Sequence, residues 1–211
     1  MEPENGNPFG AGQEFLEFLG EQRSVRNFEP RAVDERLLDL VVRAAATAPV
    51  WGKDHSWHLV VVNDPAVLKK VQDAATAGFH KLNFWIRSAP AILVCCARPA
   101  AAKKRDGVPL YLVDAAIALE RAALMAHQVG LGTSLALKYD ERAIRRACRI
   151  PNGHRVVALL AAGHPRAEGE AFLGLPVIND FAQYYDRMLS RQERHRQPAI
   201  SDVFSYNYFA A

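Results

Sequence analysis

The sequence predicts a layered domain of mixed helix and sheet, of the α/β or α+β class. Two observations predict it. Short apolar runs rich in β-branched residues are typical of buried strands, and segments with apolar residues at helical spacing separate them. The strand runs are residues 59–62, 91–97 and 155–162. Three or four strands are therefore expected, and their order in the sheet does not follow from these patterns.

The helices are predicted from their spacing and from their terminal residues. Helices are expected at residues 14–21, from 35 to about 47, from 65 onward, at 111–129, at 140–149 and at 180–191. Asp34 and Asp64 are typical N-caps, and Pro65 suits a first helical position. The helix at 111–129 is rich in alanine, which implies close approach of another helix, with a second subunit as one source. Gly130 closes it as a C-terminal glycine cap.

Composition limits the class of protein. The chain has 211 residues, 50% of them hydrophobic and 23% charged, which is enough for the core of one domain. We expect a flexible segment at 1–13 and a single domain with a C-terminal arm at 14–211. The formal charge is +3 without a basic run of five, so neither nucleic acid nor membrane is an expected partner. No apolar stretch reaches 18 residues and no signal peptide is evident, so a cytoplasmic location is expected.

Cysteine and histidine spacing predicts no metal site. Cys95, Cys96 and Cys148 have no metal-binding spacing, and we expect buried thiols in a reducing compartment. His127 and His164 each lack a second ligand at metal spacing, so both are expected to be structural.

Two basic clusters at opposite ends of the chain indicate an anion site. The first is Arg23-Ser24-Val25-Arg26, and the second is Arg194-His195-Arg196. Guanidinium groups bind phosphate oxygens in a planar fork that lysine does not reproduce. The clusters therefore predict one anion held by both termini.

Six motifs follow one another along the chain. They are Arg23-Ser24-Val25-Arg26-x-Phe28, Ala48-Pro49, Trp57 before a Val-rich strand, Ala126-His127-x-x-Gly130-Leu131-Gly132, Gly163-His164-Pro165 and Arg194-x-Arg196-x-Pro198. This order resembles the nitroreductase family of FMN-dependent oxidoreductases from about residue 15 to the C-terminus. The resemblance implies an α+β fold with a sheet flanked by helices, and an interlocked homodimer. It also implies FMN in two sites built from both subunits, with NADH or NADPH as electron donor.

The resemblance assigns the cofactor-binding residues position by position. It implies that Arg23, Ser24 and Arg26, together with Arg194 and Arg196, hold the FMN phosphate. The segment after Gly132, which ends in Leu137 and Lys138, matches the place where the family passes backbone amides near flavin N5. A backbone contact tolerates any side chain.

The loop before the first strand departs from the family pattern. The family usually has Ala-Pro-Ser-x-x-Asn-x-Gln-Pro-Trp, whereas Lys53 stands here at the Asn position and His55 at the Gln position. Lys53 either donates to the flavin, where its charge would stabilise the reduced form, or points to solvent. His55 is a proton donor, a substrate contact or a surface residue. The catalytic residue is therefore unassigned, with Lys53 and His55 as candidates.

The aromatic residues do not identify the substrate. Trp57 is expected in the core, whereas Trp51 is either a wall of the flavin or substrate site or a core residue. Phe79, His80, Phe84 and Trp85 form either the wall of a pocket for a small aromatic or apolar substrate, or the inner face of an amphipathic helix.

The leading hypothesis is an FMN-dependent oxidoreductase that reduces nitroaromatic, quinone-like or related acceptors by ping-pong hydride transfer from NAD(P)H. The absence of a Gly-x-Gly-x-x-Gly motif after a strand agrees with a nicotinamide that stacks transiently on the flavin. The altered loop motivates one alternative, a biosynthetic flavin dehydrogenase or oxidase that uses O2. The other alternative is a flavin-free binding relative of the fold.

Overall fold

The computed structural model describes residues 8–51, 56–101 and 104–166, with the backbone alone at 8–9, 78–82, 101 and 104–105. All of them fall within one compact unit of the chain, Met1–Glu168. The C-terminal arm and the helix expected at 180–191 lie outside the described residues and stay predictions.

Five α-helices and six strands occur in the described residues. The helices are α1 Pro8–Glu21, α2 Glu35–Ala46, α3 Pro65–Thr76, α4 Leu110–Gln128 and α5 Glu141–Ala147. The strands are β1 Trp57–Val62, β2 Ala91–Ala97, β3 Lys104–Arg105, β4 Val108–Pro109, β5 Gly132–Ala136 and β6 Arg155–Gly163. Short 3-10 helices span Gly78–Ser88 and Pro99–Ala101. The predicted mixed class and the three predicted strands are confirmed.

The main sheet has four strands in the order β1-β2-β6-β5, and every neighbouring pair is antiparallel. β3 and β4 form a separate two-stranded sheet. β2 is central and all seven of its residues are buried, which explains its uninterrupted apolar sequence. β5 lies at one edge of the sheet and β1 at the other, so both leave a strand edge without a partner strand in the described sheet.

The predicted capping residues are found at the ends of α2, α3 and α4. The Asp34 side chain accepts a hydrogen bond from the backbone N–H of Arg36, and Asp64 accepts from Ala66 and Val67. Gly130 has a φ of +76° and follows α4 in a Schellman arrangement, in which Leu131 N–H donates to Ala126 C=O. The largest difference is at the start of α1, which begins at Pro8 rather than at residue 14, and α5 ends at Ala147 rather than at residue 149. Proline tolerates the first helical turn, since the N–H that it lacks has no helical partner there.

The core lies between one face of the sheet and the helices α2 and α4. Its members are Val33, Leu38, Val41, Ala45, Ala48, Ala91, Leu93, Cys95, Ala115, Ala118, Leu119, Ala122, Ala126, Leu131, Ala158, Leu160 and Ala162. Four alanines of α4, Ala115, Ala118, Ala122 and Ala126, are buried in this core with α2 of the same chain and the sheet, whereas Ala116 is exposed. The close helix approach predicted from the alanines is therefore made within one subunit, and these alanines give no evidence for a dimer.

All three cysteines are free, as predicted. Cys95 and Cys96 lie on β2 and are buried, while Cys148 follows α5 and is half-buried. Burial raises the pKa of the Cys95 thiol to about 12 and that of Cys148 to about 11. The described part of the chain contains no group of His, Cys, Asp and Glu side chains able to hold a metal ion. No helix among the described residues is long and apolar enough to span a bilayer.

Candidate functional site

The first basic cluster is paired to the edge of the sheet. Ser24 forms a parallel bridge with Thr133 at the start of β5, and Val25 N–H donates to Thr133 C=O at 2.8 Å. Arg23 and Arg26 stand on either side of this pairing. Three residues expected to hold a phosphate therefore lie at the start of an edge strand. The two paired residues, Ser24 and Thr133, are 109 positions apart in the sequence.

Gly132 makes this pairing sterically possible. A Cβ at position 132 would lie 2.5 Å from Val25 Cγ2 and 2.6 Å from Val25 Cβ. Real Cβ atoms do not approach other heavy atoms so closely, so any side chain at 132 would displace Val25. The two glycines after α4 therefore have different roles. Gly130 closes the helix, whereas Gly132 allows two backbone segments to approach each other closely.

A second set of contacts holds the far end of the same segment. Phe28 forms an antiparallel bridge with Pro165 and is 1% exposed. Glu29 N–H donates to His164 C=O at 2.9 Å, and Arg166 N–H donates to Asn27 C=O at 3.0 Å. The segment between Arg23 and Glu29 is thus tied to β5 at one end and to the end of β6 at the other.

The outer edge of β5 offers a backbone donor. Thr133 C=O is bonded to Val25, so it points away from β6. Because backbone groups of alternate residues point to the same side of a strand, the N–H of Leu135 also points outward. It has no backbone partner on that side among the described residues. Leu137 follows the end of β5 at Ala136 and is 70% exposed.

The exit of β5 is fixed by a buried amide. The Asn83 side chain donates to Lys138 C=O and to Ala75 C=O, the latter at 3.3 Å. The Tyr139 hydroxyl donates to Val156 C=O at 2.9 Å. Both contacts fix the chain next to Leu137, which is the first residue after β5.

One buried hydroxyl in this region has no hydrogen-bond partner among the described residues. Ser134 Oγ is buried on β5, between Thr133 and Leu135, and no hydrogen bond satisfies it within the described residues. Buried polar atoms are normally hydrogen-bonded. Together with the cationic segment and the outward amide, the donor set fits a ligand with an anionic group near Ser24 and polar atoms further along β5. FMN has both.

The loop that carries Lys53 and His55 is held from α4. Asp114 Oδ1 accepts the backbone N–H of Trp51 at 3.1 Å, and its Oδ2 accepts the Ser56 hydroxyl at 3.0 Å. Asp114 is 2% exposed. Lys53 and His55 themselves lie outside the described residues.

Sequence reasoning missed Asp114. The sequence feature that could have identified Asp114 is a single carboxylate in the alanine-rich stretch of α4. A charged residue among core positions is unusual and indicates a specific partner.

The aromatic residues divide between core and surface. Trp57 is half-buried and packs against the core, as predicted. Trp85 is 7% exposed, so it belongs to the core and not to a pocket wall. Phe84 is half-buried, and the Arg87 guanidinium stacks over its ring at 5.4 Å. Trp51 is 60% exposed. The side chains of residues 79 and 80 lie outside the described set.

His127 and His164 each make a contact within the fold. The His127 ring packs on Phe18 of α1, with ring centroids 4.9 Å apart. His164 contributes its backbone carbonyl to the segment that carries Phe28. The second basic cluster, Arg194 and Arg196, lies outside the described residues, so its meeting with the first cluster stays a prediction.

Comparison with known proteins supports the resemblance. Residues 19–164 match the family model described as Nitroreductase family. The chain is 29% identical over 164 residues to an Archaeoglobus fulgidus protein provisionally named NADH dehydrogenase/NAD(P)H nitroreductase, covering 76% of this chain and 90% of that protein. It is also 26% identical over 181 residues to iodotyrosine deiodinase of Haliscomenobacter hydrossis, covering 74% of this chain and 81% of that protein.

A solved structure shares the fold. The nitroreductase with bound FMN from Bacteroides fragilis superposes with a TM-score of 0.59 at 21% identity, covering 75% of this chain and 91% of that chain. At this identity the similarity supports the fold alone.

Proposed function

Because the chain belongs to the nitroreductase family, we propose that it is an FMN-dependent oxidoreductase that uses NADH or NADPH to reduce nitroaromatic, quinone-like or related acceptors. The observation that carries the proposal is the pairing of Ser24 with Thr133. This pairing holds the Arg23–Arg26 segment against an edge strand whose next outward amide, that of Leu135, has no backbone partner among the described residues.

The phosphate end of the site uses charge-assisted hydrogen bonds. Arg23 and Ser24 are exposed and Arg26 is half-buried, so their side chains are accessible to a ligand at the start of β5. A phosphate dianion requires donors from several directions. We assign Arg194 and Arg196 as the remaining donors, which come from the C-terminal part of the chain.

The ring end of the site uses backbone donors and the loop. When bound, FMN supplies hydride transfer between donor and acceptor. We assign the backbone amide of Leu137 as a donor to the ring, with Lys138 next to it. Lys53 and His55, in the segment between Trp51 and Ser56, would also contact the ring. Lys53 or His55 would hold the proton that the reduction of an acceptor consumes.

We further propose a homodimer. Large apolar side chains are exposed on α1, at the start of α4, on β5 and just after it: Phe15, Leu16, Leu19, Leu112, Val113, Leu135 and Leu137. Phe15 and Leu16 are 57% and 69% exposed. Exposed apolar patches of this kind are typical of interaction surfaces. Light scattering should give twice the mass of the chain, and a monomeric mass would exclude a site shared between subunits.

The first experiment identifies the cofactor. The purified protein should show the absorbance bands of an oxidised flavin, and heat denaturation should release FMN. Arg26→Ala and Arg196→Ala should each retain less FMN than the wild type. Arg142→Ala is the control, because Arg142 is an exposed arginine on α5 remote in sequence from both clusters. A protein that neither contains nor takes up FMN would support the flavin-free binding relative.

Kinetics then separates the acceptor classes. A reductase oxidises NADH or NADPH in the presence of a nitroaromatic or a quinone, whereas a dehydrogenase or oxidase produces peroxide from an organic substrate without any nicotinamide. The similarity to iodotyrosine deiodinase supports halogenated phenols as a further acceptor class. Iodotyrosine therefore belongs in the acceptor panel, with iodide release as the readout.

A further inference from the structure

A cavity of about 800 Å³ lies between the end of the edge strand β1 and the helices α3 and α5. Its apolar wall includes Val60, Val62, Val67, Ala74 and Ala147, all of them buried or half-buried. Pockets that bind small molecules have volumes of about 300–1,000 Å³ and walls that are mostly apolar. The cavity therefore has the size and the wall of a small-molecule site.

Three cationic residues line this cavity. They are Lys70 of α3, Arg146 of α5 and Arg149 just after α5, and all three are exposed. Within the described part of the chain, none of their side chains forms an ion pair or a hydrogen bond. Like charges that share a cavity repel one another, and an anion bound among them relieves that repulsion.

The carboxylates that line the same cavity already have partners. Asp64 and Asp140 are N-caps, whose side-chain oxygens accept backbone N–H groups at the start of α3 and α5. Asp73 forms ion pairs with Arg87 at 2.8 Å and with Lys69 at 3.3 Å. The carboxylates are therefore used by the fold itself, whereas the three cations stay available to a ligand.

Arg149 has a backbone conformation that suits glycine. Its φ is +52°, in the left-handed region, where the Cβ of an L-residue is strained. It follows Cys148, the C-cap of α5, and Ile150 N–H donates to Arg145 C=O at 2.9 Å, as in a Schellman motif. Glycine usually fills this position, because it adopts a positive φ without strain. Strained residues other than glycine cluster at binding and active sites, and this one lines the cavity.

We propose that this cavity binds a small organic anion, with a carboxylate or phosphate group held by Arg146 and Arg149 and an apolar body packed against the wall. Guanidinium groups suit both head groups, because their N–H donors match two oxygens at once. Lys70 adds a third positive charge from α3. The inference goes beyond the proposed function, because β1 is the edge of the sheet opposite β5, where the FMN phosphate is proposed to bind.

The test is a titration of the full-length protein, in the presence of FMN, followed by the NMR shifts of its backbone amides. The probes are phenylacetate and phenyl phosphate, which carry the two head groups on the same ring, and benzyl alcohol, which is their neutral match. At least one anion should shift the amide signals of Val67, Ala143 and Arg149 in a saturable way. Benzyl alcohol should bind about tenfold more weakly or less, because it makes no charge-assisted hydrogen bond. The anion that binds more tightly identifies the head group.

Arg149→Gly separates ligand binding from stability. It removes the guanidinium and also relieves the backbone strain, so Tm should stay equal or increase. The Kd of the anion should nevertheless rise about tenfold, and Arg146→Ala should raise it as well. Arg142→Ala is the matched control, since Arg142 is exposed on the same helix but does not line the cavity. Its Kd should equal that of the wild type.

Four results would overturn the inference. An absence of amide shifts with both anions would exclude an anion site, and shifts confined to Ser24 and Leu135 would place the probes in the proposed FMN site. Benzyl alcohol binding as tightly as the anions, or an equal rise in Kd in Arg149→Gly and Arg142→Ala, would show that the arginines of the cavity do not select the ligand. FMN content is measured separately, so a protein without FMN would refute the proposed function and leave this titration valid.

Discussion

Val25 occupies the space that the side chain of any residue other than glycine would need at position 132. A Cβ built on Gly132 would lie 2.5 Å from Val25 Cγ2. The contact is made beside the hydrogen bond from Val25 N–H to Thr133 C=O. The packing of these two residues therefore controls how closely the basic segment approaches β5, and with it the geometry of the proposed phosphate site.

Gly132→Ala should destabilise the protein and weaken FMN binding. Overpacking of this kind costs about 1–3 kcal/mol of unfolding free energy, and displacement of Val25 would also move Ser24 and Arg26. Thermal unfolding and a fluorescence titration with FMN measure the two effects. Adding Val25→Gly removes all three of the close atoms, so the double variant should recover part of the lost FMN affinity.

Gly153→Ala is the control for this prediction. Gly153 has a φ of +87° in a turn, and no heavy atom lies within 4 Å of the position that a Cβ would take there. Its replacement therefore strains the backbone without touching the basic segment. It should lower stability by about 1 kcal/mol and leave FMN affinity unchanged. An equal loss of affinity in both variants would show that Gly132 acts only through global stability.

Asn83→Ala should destabilise the exit of β5. The buried amide donates to Lys138 C=O and Ala75 C=O, and its loss leaves both carbonyls without that donor. We expect a loss of about 2 kcal/mol in the free energy of unfolding, measured by denaturant titration. Asn152→Ala, at an exposed turn, should cost about 0.5 kcal/mol or less. Similar values for the two variants would contradict the anchoring role of Asn83.

Glu141 should make stability depend on acid pH. The hydrogen bond from the Arg155 guanidinium, with help from Val156 N–H, lowers the pKa of Glu141 below its ordinary value of 4.5. As the pH falls, the unfolded carboxyl therefore takes up its proton first. The stabilisation is fully present above pH 4.5 and is lost as the pH falls through the lower pKa of the folded state.

Glu141→Gln tests this dependence. At pH 7 the variant should be less stable than the wild type by about 1 kcal/mol, a value reduced by the exposure of Arg155. The difference should shrink as the pH falls below 4.5, because the wild-type carboxyl is then protonated as well. Denaturant titrations at pH 7 and at lower pH measure it. A constant difference across this range would rule out the ion pair as its source.

The cysteines should react slowly in the folded protein. Burial, with a smaller contribution from Cys96, raises the pKa of the Cys148 thiol from 9.0 to about 11. At pH 8 the thiolate fraction is then about a hundredfold lower than that of an unperturbed thiol. Alkylation by iodoacetamide should be slower by at least that factor at Cys148, and denaturant should abolish the difference. Fast labelling of the native protein would contradict the burial of this thiol.

Much of the fold follows from the sequence because its signals are local. Asp34 and Asp64 cap their helices by bonding to residues two or three positions away. Gly130 likewise closes α4 by donating to His127, three positions before it. The strand β2 is predicted from its composition alone, because its residues are uninterruptedly apolar. β5 was not predicted as a strand, because five residues of mixed polarity carry too short a pattern to indicate one.

The candidate site was predicted in part. The basic cluster at Arg23–Arg26 was identified from residue types, and its assignment to a phosphate came with the family resemblance. The sequence contains no sign that Ser24 would pair with Thr133, or that Asp114 would hold Trp51 and Ser56. Lys53, His55, Arg194 and Arg196 stay predictions, since they lie outside the described residues.

The sequence by itself thus determined the mixed class, most helix and strand positions and, through the order of its motifs, the family. Only the tertiary structure decided that Gly132 makes room for Val25, that the alanines of α4 pack on α2 and that Asp114 bridges the loop ends. The physical reason is separation along the chain. Caps and periodicity arise between near neighbours, whereas these contacts join residues 58 or more positions apart, where only the folded packing shows which groups meet.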